Sequence, residues 1–145
     1  MAVVLTGVFG EEEDFTTEPG KWSIREIAAH LADSELVAGH RFRQVAAEDN
    51  PTLVAYDQSA WAHRLGYAAR KPKNSLESFR RYRAENHELL RSLEESDFER
   101  IGNHTGNGRV TLLELVETYA RHAESHAAQI EAIREQYRKA KAARG

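Results

Sequence analysis

The chain has 145 residues, a length that suits one domain and is sufficient to bury a hydrophobic core without cross-links. Its 20 lysine and arginine residues are nearly balanced by 23 aspartate and glutamate residues. This balance does not indicate a nucleic-acid partner, because a protein that binds nucleic acid usually has a concentrated basic face. Cysteine is absent, which excludes disulfides and thiolate ligands, so a metal site in this chain needs nitrogen or oxygen ligands.

The first ten residues, MAVVLTGVFG, are mildly apolar but have no basic leading stretch, and they run directly into an acidic segment, EEED. This pattern is not typical of a secretory signal, and no apolar run reaches transmembrane length. We therefore expect a single cytoplasmic domain over residues 1–145 without a membrane partner.

Helix start signals and apolar residues at helical spacing organise most of the chain. Capping boxes are present at Ser23 with Glu26 and at Thr111 with Glu114, so a helix is expected to begin at each place. Valines and a glycine weaken the helical pattern in the first segment. The predicted helices cover residues 2 to about 10, 23 to about 47, 74–93 and 111 to about 138.

Two connections separate the longer predicted helices. Residues 49–73 form a long, aromatic-rich connection in which Gln58 to Leu65 is expected to make a helical turn or two. A connection of this length inside a compact domain is often functional. Residues 103–109 form a turn-rich link into the last helix, and no segment shows the alternation typical of strands. The pattern predicts an all-α protein.

The last predicted helix carries two histidines, His122 and His126, which are four residues apart and therefore lie on one helical face. At about 100° per residue, His126 falls within the apolar stripe of this helix and His122 lies beside it. Both rings thus point into the bundle, where an unpaired ring nitrogen costs about 1–3 kcal/mol. A metal ion would satisfy both rings, whereas the alternative is a pair of ordinary core histidines that bond carbonyl groups.

A third ligand candidate is His30, which lies midway along the second predicted helix at the edge of its apolar face. Three histidines and a water make the open tetrahedral arrangement expected of a catalytic metal site. Position 123 is alanine and Glu124 faces away from the two histidines, so the chain lacks the general base of an HExxH motif. This argues against a mechanism of the metalloprotease type.

Three segments resemble motifs of the DinB-like superfamily. Residues 20–27, GKWSIREI, and residues 30–35, HLADSE, resemble its opening helix motif. Tyr56-Asp57-Gln58, followed by Trp61 and by RLGY at 64–67, resembles its connecting segment. Residues 122–130, HAESHAAQI, resemble its closing HxxxHxxQI motif. The resemblance spans residues 20 to about 133, in the family's order.

The resemblance implies an all-α four-helix bundle of the DinB-like type, with one long crossover between the second and third helices and a short first helix. It also implies a homodimer and one divalent metal ion held by His30, His122 and His126. Three imidazoles suit zinc or nickel best, with iron as a further option.

The activity that the resemblance implies is that of a metal-dependent hydrolase, or of a transferase that uses a low-molecular-weight thiol and acts on a small molecule. The alternative is a non-catalytic metal-binding or stress-response interaction module.

Two carboxylates are candidates for catalytic roles. Asp57 is the better candidate for a general base, because it lies in the connection expected at the mouth of the pocket. Glu35 falls on the apolar face of its helix, where it is expected either to orient a ligand histidine or to pair with a core arginine such as Arg83. The alternative for Glu35 is a partly exposed carboxylate at a helix boundary, since buried unpaired glutamates are rare.

Three further residues are candidates for binding the substrate. Tyr56 and Trp61 are expected at the pocket mouth, although aromatic residues at this place also suit a plug at the end of the bundle. Gln129 lies one turn beyond His126 and is expected to bond either a ligand ring or the substrate, with an exposed, solvated side chain as the alternative.

Overall fold

The structure is a computed structural model, and it describes residues 7–8 and 10–145. Its helices are α1 (Glu11–Asp14), α2 (Ile24–Ala47), α3 (Gln58–Arg64), α4 (Pro72–Arg91) and α5 (Leu112–Arg144), and its strands are β1 (Thr52–Leu53), β2 (Ile101–His104) and β3 (Gly108–Thr111). The short helix predicted over residues 2–10 falls largely outside the described residues. None of the described helices combines the length and apolar composition needed to cross a bilayer.

Helices α2 and α5 begin where the capping boxes predict. The Ser23 hydroxyl accepts from the Glu26 amide, and the Glu26 carboxylate accepts from the Ser23 amide at 2.9 Å. Thr111 and Glu114 make the same pair of bonds at the start of α5. Helix α5 continues to Arg144, beyond its predicted end, because the alanine, lysine and arginine residues of the tail are strong helix formers.

Helix α2 is the centre of the fold and packs against both α4 and α5. The predicted long crossover is confirmed, since residues 48–71 connect α2 to α4 and contain β1 and α3. Two apolar clusters form the core: one includes Ile27 and Ile130, and the other includes Phe42 and Leu115. The residues of the first cluster flank two histidines, since His30 stands between Ile27 and Leu31 on α2 and His126 between Ala123 and Ile130 on α5.

A small three-stranded sheet departs from the connections that the sequence predicts. Strand β1 of the crossover pairs in parallel with β2, and β2 pairs antiparallel with β3. The predicted turn-rich link at 103–109 is therefore a hairpin. A Cβ atom at Gly102 would come within 2.9 Å of the side chains of both Leu53 and Val45, so the sheet lies close against α2. The sheet thereby holds the crossover and the hairpin beside the start of α5.

Candidate metal centre

The structure brings His30 of α2 together with His122 and His126 of α5. The Nε2 atom of His122 lies 2.9 Å from Nε2 of His30 and 3.2 Å from Nε2 of His126. One nitrogen from each ring falls within a group whose atoms all lie within 4.8 Å of one another. His30 is 1% exposed, and the other two rings are half-buried. The three side chains thus present their nitrogens to one point.

This cluster of nitrogens fits a metal ion better than a hydrogen-bonded histidine trio. A neutral imidazole nitrogen carries either a proton or a lone pair, so Nε2 of His122 satisfies only one of its two close neighbours by a hydrogen bond. Tetrahedral zinc with bonds of about 2.0–2.1 Å to histidine places its ligand nitrogens about 3.3 Å apart. The observed separations of 2.9 and 3.2 Å are close to that spacing. The donor set therefore suits a divalent ion.

Burial keeps these rings neutral. It lowers the pKa of His30 to about 3, and the neighbouring His122 and His126 lower it further. The pKa of His122 falls to about 4, first through burial and then through His126 and the charge of Arg83. Burial also lowers the pKa of His126. At neutral pH the rings therefore need not lose a proton before they bind a metal.

A side chain on α5 selects the tautomer of His126. The Nδ1–H group of His126 donates to Oε1 of Gln129 at 2.9 Å, so the lone pair of this ring lies on Nε2, which faces the other two histidines.

Nδ1 of His30 is buried without a hydrogen-bond partner among the described residues. The ring of Trp22 packs against His30, with 5.0 Å between the ring centroids.

A cavity of about 350 Å³ opens beside His122. This volume lies within the range typical of small-molecule sites. Its walls come from α2, the crossover, the β2–β3 hairpin and α5, and they include Arg41, Tyr56, His104 and Tyr119. The candidate metal centre thus borders a space that is large enough for a small molecule.

The predicted pocket-mouth residues take different positions. Tyr56 lines the cavity. Trp61 stacks on Tyr56 with 4.3 Å between ring centroids and packs against the cluster around Tyr67, so it also supports this end of the fold. Asp57 is exposed, and its carboxylate accepts from the amides of Ser59 and Ala60 at the start of α3. A role for Asp57 as general base stays a prediction.

Glu35 lies in the core, 3% exposed, and pairs with Arg83, one of the two arrangements expected for it. Nη2 of Arg83 donates to Oε2 at 2.8 Å, and Nδ2 of Asn86 donates to Oε1 at 3.0 Å. The charge of Arg83, the partner of Glu35, also lowers the pKa of His122, so this ion pair lies near the candidate metal centre. A direct catalytic role for Glu35 stays a prediction.

Sequence reasoning missed several cavity residues, among them Arg41, Tyr119 and His104. A signal for Arg41 was present, because it lies three residues after Ala38 and four before Val45, on the face of α2 that is buried. An arginine within an apolar stripe is unusual. His104 gave no comparable signal, since only the unpredicted hairpin places it beside the cavity.

Comparison with known proteins identifies the family. The sequence profile of the DinB superfamily matches residues 3–130, which is most of the chain. The chain belongs to the DinB superfamily.

Two relatives and one solved structure support this DinB assignment. A protein of Oceanobacillus iheyensis named "Putative metal-dependent hydrolase" is 30% identical over 123 residues, which cover 85% of this chain and 71% of the relative. A protein of Bacillus mycoides with the same description is 32% identical over 116 residues, which cover 80% of this chain and 66% of the relative. The chain therefore spans about two thirds of the length of these relatives.

The structure of YfiT from Bacillus subtilis superposes with a TM-score of 0.87 at 25% identity, covering 93% of this chain and 78% of YfiT. It is described as "a probable metal-dependent hydrolase with an unusual four-helix bundle topology". The predicted DinB-like fold, mostly helical and of the four-helix-bundle type, is confirmed.

The bond from His126 to Gln129 makes a testable prediction for this DinB-superfamily protein. We expect Gln129→Ala to weaken zinc binding by about 10–100-fold, because the His126 ring loses the acceptor that orients it. Competition with a chelating dye measures the affinity. Gln136→Ala, an exposed glutamine on the same helix, is the matched control and should bind zinc like the parent. Equal affinity in the two variants would show that Gln129 does not support the centre.

Proposed function

We propose that this chain is a metal-dependent enzyme that acts on a small molecule, either as a hydrolase or as a transferase of a low-molecular-weight thiol. The observation that carries the proposal is the convergence of three neutral imidazoles beside a cavity of about 350 Å³ to which His122 contributes. A buried metal site without an adjoining space would instead suit a structural role.

His30, His122 and His126 would hold the ion, and Gln129 would fix the orientation of one ligand. When bound, a divalent ion supplies a Lewis acid and lowers the pKa of a coordinated water or thiol. Because all three ligands are neutral, the centre keeps the full charge of the ion and favours an anionic nucleophile. Zinc and nickel are the ions that we propose first, with iron as a further option.

The surroundings of the cavity support a nucleophile that the metal ionises. In the described part of the chain, no aspartate or glutamate lines the cavity. The carboxylate of Asp57 is bonded to the amides at the start of α3, and that of Glu35 is paired with Arg83. A bound ion would lower the pKa of a coordinated water or thiol towards or below neutral pH, so forming the nucleophile would not require a carboxylate in the cavity wall. Since the chain has no cysteine, a thiol would come from a separate small molecule.

The experiment compares turnover with and without metal. Protein purified without a metal-affinity tag is loaded with zinc or nickel. It is then assayed with chromogenic esters for hydrolysis, and with free cysteine and a chromogenic electrophile for thiol transfer. We expect turnover in one assay that a chelator removes and added metal restores. Turnover that survives the removal of metal would contradict the mechanism. Stoichiometric metal without turnover in either assay would instead favour the metal-binding module.

A further inference from the structure

Arg41 is a buried cation that has no anionic partner among the residues that the structure describes. Its side chain projects from α2, and the residue is only 7% exposed. Nη1 donates to the hydroxyl of Tyr119 at 2.8 Å, and Nη2 donates to the carbonyl of Val54 at 2.7 Å. Neither acceptor carries a negative charge, and within the described ranges no carboxylate lies within ion-pair distance of Arg41. A permanently charged guanidinium in this position is costly unless an anion compensates it.

The position of Arg41 connects it with the metal centre. Arg41 and His122 line the same cavity, and Tyr119 interacts with both of them. The ring of Tyr119 is 6.4 Å from the ring of His122, measured between centroids, and its hydroxyl accepts from Arg41. The guanidinium also lies over the ring of Tyr56, 5.9 Å from its centroid. These contacts fix the cation at the wall of the cavity.

Two neutral side chains add hydrogen-bond donors to the same cavity. The hydroxyl oxygen of Tyr119 accepts from Arg41, which leaves its proton available for a further acceptor, and burial raises the pKa of this phenol. Nδ1 of His104 accepts from the amides of Gly106 and Asn107 at 3.1 and 3.0 Å, so the ring proton lies on Nε2. Burial, and then the charge of Arg41, lower the pKa of His104, which keeps this ring neutral.

We propose that Arg41, Tyr119 and His104 form a subsite for an oxyanion group, a carboxylate or a phosphoryl group, on the small-molecule substrate. The group would receive a charge-assisted bond from Arg41 and neutral donors from the other two residues. The rest of the substrate would extend towards His122. This assignment of substrate class rests on the proposed function, but binding of the anion itself requires no metal.

The test titrates the metal-free protein with malonate and with inorganic phosphate, and follows the amide resonances by NMR. Malonamide, which is neutral, is the matched control ligand. We expect saturable shifts at Ala55, Gly106 and Asn107 with at least one anion and none with malonamide. The anion that binds more tightly distinguishes the carboxylate from the phosphoryl form of the group. Shifts confined to another surface, or no saturable binding of either anion, would overturn the subsite.

Variants assign the binding to the proposed residues. We expect Arg41→Gln to weaken anion binding on the order of tenfold or more, since it removes a charged donor. Arg43→Gln, which alters an exposed arginine on the same helix, should bind the anion like the parent. Tyr119→Phe keeps the cation and removes only the hydroxyl, and should weaken binding several-fold. Unchanged affinity in Tyr119→Phe and in Arg41→Gln would contradict the proposal, and if Arg41→Gln fails to fold, Tyr119→Phe and the wild-type shifts decide.

The subsite and the metal-dependent function fail independently. Anion binding by a protein that shows no metal-dependent turnover would contradict the proposed function and support the subsite. Metal-dependent turnover in a protein that binds neither anion would support the proposed function and overturn the subsite.

Discussion

Replacing His126 by alanine is expected to abolish stoichiometric metal binding. Nε2 of His126 is one of the three nitrogens that converge between α2 and α5, and it lies 3.2 Å from Nε2 of His122. Two imidazoles alone make an incomplete ligand set for a site of this kind. Because disturbing an outer partner of a ligand already costs about 10–100-fold in affinity, the loss of a ligand should exceed 100-fold.

Elemental analysis of protein purified without a metal-affinity tag measures this effect. The parent should contain close to one equivalent of metal after incubation with zinc or nickel, and His126→Ala should contain almost none. His40→Ala, at an exposed position of α2, is the matched control and should keep the metal. If the parent takes up no metal, or if His126→Ala binds it fully, the histidine cluster is an ordinary part of the core.

The second large effect concerns stability, because the carboxylate of Glu35 depends on Arg83. Glu35 is 3% exposed, and Arg83→Met would leave its charge in the core with Asn86 as the remaining side-chain donor. We expect the free energy of unfolding to fall by about 3 kcal/mol, the lower end of the range for breaking a buried pair, since the side chain of Arg83 is 38% exposed and the bond from Asn86 remains. Urea denaturation measures the change.

Two comparisons separate the ion pair from a general effect of the substitution. Arg80→Met, at an exposed position of α4, should change the stability by less than about 0.5 kcal/mol. The double variant Glu35→Leu with Arg83→Met should recover most of the lost stability, because it removes the buried charge as well as its partner. A double variant as unstable as Arg83→Met would show that Glu35 is not the cause.

Local signals in the sequence predict the helices well. The capping boxes at Ser23 and Thr111 depend on residues three positions apart, so they are visible without knowledge of the tertiary fold. The start of α4 is less well predicted, at Asn74 instead of Pro72, because a proline suits the first turn of a helix as well as the connection before it. The short α3 falls within the segment from Gln58 to Leu65 where helical turns were expected.

The sheet could not be predicted, because its strands are short and their pairing is not local. Strand β1 has two residues, too few for an alternating pattern, and Thr52 pairs with Asn103 from a distant part of the chain. The glycines around the hairpin have the composition of an ordinary turn. His104 therefore enters the cavity wall through contacts that periodicity along one helix does not report.

The candidate site likewise combines contacts that the sequence predicts with contacts that it does not. The spacing of His122 and His126 on an amphipathic helix indicates a shared inward face, and the family resemblance adds His30 from a separate helix. The hydrogen bond from His126 to Gln129 follows from their separation of three residues on α5. The contact between Arg41 and Tyr119, by contrast, joins two helices across 78 positions of the chain and needs the packed structure.

A metal ion bound to the histidine cluster would also connect two distant parts of the chain. His30 and His122 are 92 positions apart, and the segment between them contains α3, α4 and the sheet. An ion bound to both would close this segment into a loop and would bind the folded chain far better than the unfolded one. At a free concentration about 100 times its Kd, it would add about 2.7 kcal/mol to the stability. At that concentration of free metal, the ratio of unfolded to folded molecules would fall about 100-fold.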